Sequence, residues 1–413
     1  MTRRVVVTGL GTVNPLGLDV ESSWDALVEG VSGAGPISLF DPSDLLVQVA
    51  CEVKGFDPEQ FMDAREARRR DRFEQLASAA AQEALQQSGL EVHAENAERV
   101  GVIVSSAVGG LGSMEDGILT IKEKGPRRVS PFTIPMFMPN GASGMIGIDI
   151  GAQGPSFSLA SACASGVDSI GQAATLIRSG VIDAALAGAS EATVTHVGIA
   201  CFDRLGALSR RNEKYQTRPA PFDAQRDGFI MGEGAAVLVL ESLEHARSRG
   251  AEILGELIGY GASSDAYHVT APSETGAGGA LAIRLALEDA KIDAHQVDYV
   301  NAHGTGTQLN DIAETRAIKT ALGEHAYSTA VSSTKSMTGH MMGATGALES
   351  IFCLKAIQAG LVPPTINLVD PDPDCDLDYV PGSAREMPVE VAITNAFGFG
   401  GHNAVLAFKS FQS

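Results

Sequence analysis

The stretch that decides the fold runs from Ser156 to Gly180, SFSLASACASGVDSIGQAATLIRSG. Phe157 and Leu159 alternate with serines, which predicts a short strand. The next six residues, Ser161–Gly166, are all small and predict a tight turn that another backbone can approach closely. Apolar residues then recur at helical spacing from Ile170, and Gly180 is a suitable stop for that helix.

Cys163 therefore lies where a strand passes into a helix. Unpaired N–H groups and the positive end of the helix dipole at such a place favour a thiolate over a thiol. A small buried cysteine of the core is the alternative, since that is the usual fate of a free cysteine. This stretch alone leaves both interpretations open.

Composition limits the class of protein and its partners. The 413 residues are 44% hydrophobic with 46 glycines, which predicts a tightly packed α/β protein. The 50 acidic and 30 basic residues give a net charge of −20, which argues against nucleic acid as a partner. No apolar run reaches the roughly 20 residues of a membrane span, and we expect no membrane partner and no signal peptide. Five scattered cysteines favour a reducing, cytoplasmic location.

The second half of the chain repeats the first. Thr329–Gly360 parallels the opening stretch, because each runs from a strand through a small-residue turn into a helix. Val297–Thr307 parallels Val100–Gly110 as a strand that enters a glycine loop. We therefore predict two α/β halves, residues 1–250 and 251–413, related by duplication and joined over a large interface.

In a duplicated α/β fold the strand ends converge near the seam, where sites form. The matching ends carry Cys163, His303, the turn Lys335–His340 and the loop Phe397–Asn403. A histidine in a glycine loop is often only a structural hydrogen bonder, but two such loops beside a cysteine indicate a site. Ser332-x-x-Lys335 also matches serine acyl-enzymes, yet their partner motifs are missing.

Six segments together resemble a known family. They are ACASG around Cys163, RDGFIMGEGA at 226–235, NAHGTGT at 301–307, SSTKSMTGH at 332–340, PPTINL at 363–368 and NAFGFGGHN at 395–403. In this order they resemble the elongating β-ketoacyl-acyl-carrier-protein synthases over essentially the whole chain. The resemblance implies a thiolase-like fold with α-β-α-β-α layers and mixed sheets, and a homodimer. It also implies decarboxylative Claisen condensation of malonyl-carrier protein with a bound acyl chain, which lengthens the chain by two carbons.

The resemblance also implies roles for the matching residues. Cys163 would take the acyl chain as a thioester, and His303 and His340 would promote malonyl decarboxylation and stabilise the enolate. The N–H groups of Cys163 and Phe399 would form an oxyanion hole, with Phe399 as the gate to the acyl pocket. Lys335 would organise the charges of the site.

Substrate contacts follow from the same resemblance. Thr305 and Thr307 match residues that bond the phosphopantetheine arm, and Val108 and Phe202 fall where the acyl pocket is shaped. Because loss of carbon dioxide makes the carbanion, we expect no metal or redox cofactor in the reaction. A structural Na⁺ or K⁺ is the one ion predicted, at Asn301, Glu349 and Asn395.

A basic island, Arg65-Glu-Ala-Arg68-Arg69-Arg70-Asp-Arg72, stands out on this acidic chain, with Arg127-Arg128 as a second basic segment. Basic runs of this kind are usually solvated helix faces or internal ion pairs. Family members dock an acidic acyl-carrier protein with residues that match Arg65, Arg68, Arg69, Arg127 and Arg128. Gly206 departs from the family, whose members often have a basic residue there, and Arg204 or Arg210 would substitute.

Four related classes compete with this interpretation. Initiating synthases use a Cys–His–Asn set and thiolases a second cysteine near the C-terminus, and neither pattern is present. A polyketide or specialised fatty-acid ketosynthase remains the main rival, although SSTKSMTGH and the compact length favour fatty acid synthesis. A non-catalytic chain-length partner subunit is disfavoured because such proteins usually lack the nucleophile.

Overall fold

The computed structural model describes residues 3–412; positions 1, 2 and 413, at the outer ends of the two predicted halves, lie outside it. Its strands, in chain order, are β1 (Val5–Val13), β2 (Gly35–Pro36), β3 (Val49–Ala50), β4 (Val100–Ser105), β5 (Ala184–Glu191), β6 (Gly234–Ser242), β7 (Gly255–Ser264), β8 (Tyr299–Asn301), β9 (Ala330–Ser332), β10 (Leu361–Val362), β11 (Arg385–Glu386), β12 (Val391–Gly398) and β13 (His402–Lys409).

The helices alternate with these strands. They are α1 (Val20–Val28), α2 (Ala64–Ala67), α3 (Arg72–Ser88), α4 (Leu111–Lys124), α5 (Thr133–Phe137), α6 (Gly141–Ile150), α7 (Ser165–Arg178), α8 (His196–Arg204), α9 (Leu243–Ser248), α10 (Ala277–Ala290), α11 (Gln308–Leu322), α12 (Lys335–Thr338) and α13 (Thr345–Ala359). Within the described part of the chain, every helix is too short or too polar to cross a lipid bilayer.

Nine strands form one mixed sheet in the order β4-β5-β6-β1-β7-β13-β12-β8-β9. The order is mirrored about its centre, where Val5–Val7 pairs antiparallel with Gly255–Leu257. On each side a parallel pair, β4 with β5 or β8 with β12, is followed by two antiparallel pairings. The predicted duplication is thus present in the strand order.

The predicted strand in the opening stretch is shorter than expected. Only Ser156 makes a strand-like bridge, parallel to Val102, in the position that β9 takes beside β8 in the second half. The residues that follow are extended but bond irregularly, because Leu159 donates its N–H to the Ser105 side chain rather than to a strand.

Helices α7 and α13 pack against each other in the centre of the molecule. The inner faces of both halves of the sheet cover this pair with one large apolar core. A second core joins α3 and α6 to the outer face of the first half, and a third joins α10 and α11 to that of the second. The layers therefore run helix, sheet, helix, sheet, helix, as predicted.

Glycines allow the two central helices to touch. A Cβ on Gly166 of α7 would lie 2.7 Å from the carbonyl oxygen of Gly343, and one on Gly346 of α13 would lie 2.6 Å from a Val167 methyl group. Real Cβ atoms do not approach other atoms this closely, so the crossing requires glycine on both sides. It brings the start of α7, beside Cys163, against the start of α13.

Candidate active site

Cys163 lies in a tight turn just before α7. The turn residue Ala162 has a φ of +52°, a conformation that is costly for a residue with a side chain. Ser165 holds the turn closed, since its hydroxyl donates to the carbonyl of Ala162 at 2.7 Å and accepts the N–H of Ser161 at 3.0 Å. Gly398, at the end of β12, passes so close that a Cβ there would lie 3.0 Å from the Cys163 nitrogen.

Two histidines of the second half face this cysteine. Nε2 of His340 lies 3.1 Å from the Cys163 sulfur. The His303 ring meets the His340 ring edge-on, with 5.3 Å between the ring centroids. One nitrogen of each ring and the sulfur all lie within 4.8 Å of one another, and all three residues are buried. The structure therefore brings together the three reactive groups that the sequence pointed to.

The thiol of Cys163 is the resting form, not the thiolate that its place before a helix predicted. Burial raises its pKa to about 11, although the charge of Lys335 and the N–H of Phe399 oppose the shift. The prediction of a lowered pKa was wrong because it considered only the helix end. Desolvation by the opposing half of the molecule outweighs that local dipole.

Both histidines are neutral. Burial lowers the pKa of His303 and of His340 well below the usual value, and the nearby positive charge of Lys335 adds to the effect. Nδ1 of His340 lies 3.0 Å from the hydroxyl of Thr345, which can act as donor or acceptor. The His340 ring can therefore present Nε2 either as an acceptor or as an N–H donor.

Lys335 supplies the charge that orders the site. Its Nζ donates to Oε1 of Glu349 at 2.7 Å, and both side chains are completely buried. Burial raises the pKa of Glu349, while Lys335 opposes the rise. The pair thus keeps a cation next to both histidines without leaving it unpartnered.

Glu314 is a site residue that the sequence analysis missed. Its carboxylate accepts the N–H of His303 at 2.7 Å and that of Gly304 at 2.6 Å, and it also accepts the Asn395 amide at 3.1 Å. It lies on the buried side of α11, directly after the NAHGTGT loop. An acidic residue on the apolar face of this helix was the available signal.

The predicted cation position has the chemistry of an ion site. Among the buried atoms without a hydrogen-bond partner are Oε2 of Glu349, Oδ1 of Asn395 and the hydroxyl of Thr394. The amide oxygen of Asn301 has only a long bond, 3.4 Å, from the Thr334 hydroxyl. Buried oxygens without partners are costly unless something binds them, and oxygen ligands suit an alkali or other hard cation. These residues fit a monovalent cation.

A cavity of about 480 Å³ opens onto the reactive groups. Thr305 and Thr307 line it with their hydroxyls 3.0 Å apart, and Phe202 and Phe399 also line it. The substrate contacts predicted for these residues stay predictions. Val108 is not among the lining residues. It follows Ala107, which packs on the apolar cluster beside Cys163, and its predicted influence on the acyl pocket stays a prediction.

The gate loop is shorter than the predicted Phe397–Asn403. Strand β12 continues to Gly398 and β13 begins at His402, so only Phe399–Gly401 lies outside the strands. Gly400 has a φ of +83° and donates its N–H to the carbonyl of Val269 at 2.8 Å. A residue with a side chain would strain this turn.

The basic island divides into two kinds of residue. Arg70 donates to Asp149 at 2.6 Å and Arg72 to Glu233 at 2.6 Å, so these two are internal ion pairs. The residues predicted to dock a partner are more accessible. Arg65, Arg68, Arg127 and Arg128 are exposed, and Arg69 is half-buried.

Arg69 connects the two basic segments. It donates to Glu66 at 3.0 Å, and its guanidinium lies 4.8 Å from the centre of the Phe132 ring. Phe132 lies shortly after Arg127 and Arg128 in the chain, so this contact brings the two basic segments near each other.

Gly206 leaves open space where relatives often have a cation. A Cβ there would meet nothing within 4 Å, although the φ of +71° favours glycine. Both Arg204 and Arg210 are exposed, but the Arg210 guanidinium is paired with Asp203 at 2.7 Å. Of the two predicted substitutes, Arg204 is the better placed to contact a partner.

Comparison with known proteins agrees with this arrangement. The profile of the β-ketoacyl synthase N-terminal domain matches residues 2–246, and that of the C-terminal domain matches residues 254–369. A protein of Synechocystis sp. named 3-oxoacyl-[acyl-carrier-protein] synthase 2 is 49% identical over 410 residues, covering 99% of both chains. A Staphylococcus aureus protein of the same name is 47% identical over 411 residues, covering 100% of this chain and 99% of its own.

Solved structures share the fold over the whole chain. A ketosynthase in complex with the acyl-carrier protein of a type II polyketide synthase (AntDE:AntF) superposes with a TM-score of 0.92 at 36% identity and full coverage of both chains. A β-ketoacyl synthase from Burkholderia phymatum also gives 0.92 at 36% identity, covering 99% of this chain and 100% of its own. Given the two matching domain profiles and the full-length identity, this chain belongs to the β-ketoacyl synthase family.

Proposed function

We propose that this chain, a condensing enzyme of the β-ketoacyl synthase family, joins a cysteine-bound acyl group to malonyl-carrier protein with loss of carbon dioxide. The main support for this proposal is that one thiol and two neutral imidazoles lie within 4.8 Å of one another beside a cavity. A thiol suits thioester exchange, and neutral imidazoles can donate to a developing enolate.

In the first step Cys163 attacks the thioester carbonyl of the acyl-carrier protein. The thiol proton passes through Nε2 of His340, 3.1 Å away, to the departing pantetheine sulfur. The N–H groups of Cys163 and Phe399, both close enough to influence the thiol, would hold the carbonyl oxygen as it becomes negative. The products are an acyl-cysteine and a free carrier thiol.

In the second step malonyl-carrier protein enters the same cavity. Its carboxylate leaves as carbon dioxide, and the electron pair forms an enolate whose oxygen accepts hydrogen bonds from His303 and His340. The enolate carbon then attacks the acyl-cysteine, and the Cys163 sulfur leaves and takes a proton from solvent. Because decarboxylation itself creates the carbanion, the proposal needs no metal or redox cofactor.

The cavity offers a place for each part of the substrate. Thr305 and Thr307 would bond the phosphopantetheine arm, while Phe399 would open or close the acyl pocket. Phe202 and Val108 would shape that pocket. The substrates would thus arrive covalently attached to the carrier.

Identity favours fatty acid synthesis over polyketide synthesis. The relatives named 3-oxoacyl-[acyl-carrier-protein] synthase 2 are 47–49% identical, against 36% for the polyketide ketosynthase. We therefore infer a chain-elongating role in type II fatty acid synthesis. The five cysteines are all free, which fits a reducing cytoplasm.

We propose a second copy of this chain as the partner in a homodimer. Exposed apolar side chains gather on helices α4–α6, among them Ile118, Ile134 and Ile148, and Ile148 is 76% exposed. Large exposed apolar patches usually mark an interface. The extended residues 156–160 lie at the same end of the sheet, next to β4, and would offer a strand edge to the partner.

We also place a monovalent cation between Asn301, Glu349 and Asn395. When bound, it would supply a fixed positive charge that satisfies the unpaired oxygens of Glu349 and Asn395. It would hold Glu349 in position for Lys335, whose charge adds to the burial that lowers the pKa of both histidines.

The first prediction tests the reaction. Mixed with malonyl-carrier protein and acyl-carrier protein, the protein should yield 3-oxoacyl-carrier protein two carbons longer, detected by mass spectrometry. Cys163→Ala should lower condensation by about 1,000-fold or more, because the nucleophile is gone, yet retain malonyl decarboxylation. Cys201→Ala, at an exposed cysteine, serves as the control. A Cys163→Ala protein that still condenses would refute the nucleophile assignment, and multiple extensions without reduction would favour the polyketide role.

The second prediction tests carrier docking. Reversing Arg68 and Arg128 together to glutamate should raise KM for carrier-bound substrate by roughly tenfold, because two attractive charges become repulsive. The kcat should stay within about twofold, and the rise in KM should shrink at high salt. The matched control is Arg284→Glu on α10. Equal KM values for the docking and control variants would exclude this surface.

The third prediction tests the dimer. Sedimentation equilibrium should give twice the chain mass, and Ile118→Glu with Ile148→Glu should shift the protein to the monomer because a charge would be buried at the interface. Val369→Glu, at another highly exposed apolar residue, is the control. A monomeric wild type at micromolar concentration contradicts the proposal.

The fourth prediction tests the cation. At constant ionic strength, replacing tetramethylammonium by K⁺ or Na⁺ from 1 to 100 mM should raise Tm by about 1–3 °C, because the ion binds only the folded chain. Asn395→Ala should remove this dependence. A wild-type Tm that ignores both ions would leave the site without a ligand.

A further inference from the structure

The second half of the molecule contains a copy of the turn that carries Cys163. We call Ser161–Ser165 the first elbow and Met341–Thr345 the second elbow. Each has a residue with positive φ, Ala162 at +52° and Met342 at +44°. Each continues through one 3₁₀ turn into a central helix, α7 or α13. Gly343 therefore occupies the position of Cys163 in the second elbow.

The strand ends beside the two elbows also correspond. Gly398 ends β12 and Glu191 ends β5, and each opposes the first residue of the next antiparallel strand. At the first elbow Gly398 has no side chain, so the N–H of Cys163 remains next to the sulfur and the cavity. At the second elbow the Glu191 side chain fills the equivalent space.

Four donors surround the Glu191 carboxylate. Oε2 accepts the N–H of Gly343 at 3.0 Å and that of Ala107 at 2.9 Å. Oε1 accepts the hydroxyl of Ser106 at 2.6 Å and the N–H of Val108 at 3.2 Å. Glu191 is completely buried, and no lysine or arginine is among these bonding partners. Backbone N–H groups thus hold an anion where the first elbow would hold an oxyanion.

We propose that Glu191 is a positioning residue. Its carboxylate fills a second oxyanion hole and thereby fixes the position of His340 relative to Cys163. His340 immediately precedes the second elbow, and Met342 of that elbow lines the cavity. The Glu191 carboxylate accepts hydrogen bonds from the N–H of Gly343 and from residues 106–108. It thereby connects the second elbow to the first half of the chain, the half that contains Cys163. The 3.1 Å approach of His340 to the sulfur depends on this connection.

Space at Gly343 supports the same role. A Cβ there would lie 2.9 Å from Oε2 of Glu191 and 2.9 Å from the nitrogen of Ala107. A glycine is required because the carboxylate and the loop occupy the position that a side chain would take. The second elbow therefore has a glycine where the first has Cys163, and a buried carboxylate lies against that glycine.

The proposal rests on the proposed function only where kcat is measured, whereas the binding of formate can be tested without any activity. Glu191→Ala vacates the hole, and formate should then bind the freed N–H groups. We expect Tm of Glu191→Ala to rise with 1–100 mM formate relative to equal chloride. Wild type and Glu191→Gln, which leave no space, should not respond. A Tm of Glu191→Ala that is indifferent to formate overturns the anion hole, whether or not the chain condenses.

The kinetic test separates positioning from folding. Glu191→Gln places an amide N–H₂ against N–H donors and should lower kcat by about 10- to 100-fold, as expected for a displaced catalytic group. KM for malonyl-carrier protein should change less than about twofold. Formate should restore part of the activity of Glu191→Ala but none of that of Glu191→Gln. A folded Glu191→Gln protein with wild-type kcat overturns the positioning role.

Gly343→Ala tests the same role if the Glu191 variants do not fold. Gly343→Ala should displace the carboxylate and reproduce the loss of kcat, whereas Gly35→Ala, whose Cβ would only touch the end of the Lys54 side chain at 3.4 Å, should not. Crystals of Glu191→Gln or Gly343→Ala should show a longer separation between His340 Nε2 and Cys163 Sγ. An unchanged 3.1 Å separation overturns the inference even if the wild type proves not to condense.

Discussion

The close crossing of α7 and α13 is the contact on which the rest of the site depends. Gly166 and Gly346 let the two helices approach until backbone meets side chain, and this brings the starts of both helices together. Cys163 stands just before one helix and His340 just before the other, so the 3.1 Å contact between them follows from the crossing. A larger residue at either glycine would push the two helices apart. Cys163 and His340 would then be separated although neither residue had been altered.

Burial at this crossing determines the electrostatics. Desolvation holds Cys163 as a thiol and both histidines as neutral rings, and the buried cation beside them, Lys335, opposes the first effect and reinforces the second. The charge of Lys335 is tolerated because Glu349 lies 2.7 Å away. A site arranged in this way has neutral donors and a protonated nucleophile at rest, which suits a reaction in which negative charge moves onto a carbonyl oxygen at each step.

Each half contributes what the other lacks. The first half provides the nucleophile, and the second provides the histidines, the lysine and the gate loop. The two elbows differ in a complementary way. At the first, Gly398 leaves the N–H of Cys163 open beside the sulfur. At the second, the Glu191 carboxylate accepts the corresponding N–H, that of Gly343. Duplication thus produced one reactive elbow and one structural elbow.

The sequence by itself determined the fold class, the duplication and the identity of Cys163, His303, Lys335 and His340, because these rest on local patterns and short motifs. Helix α3, Arg72–Ser88, likewise has local signals, since its apolar residues recur at helical spacing and Gly89 ends it. Only the tertiary structure decided the protonation state of Cys163, the hydrogen-bond partners of Glu314 and Glu191, and which arginines of the basic island are exposed. The physical reason is that desolvation and long-range hydrogen bonds depend on what packs opposite a residue, and in each of these cases the partner is distant in the chain.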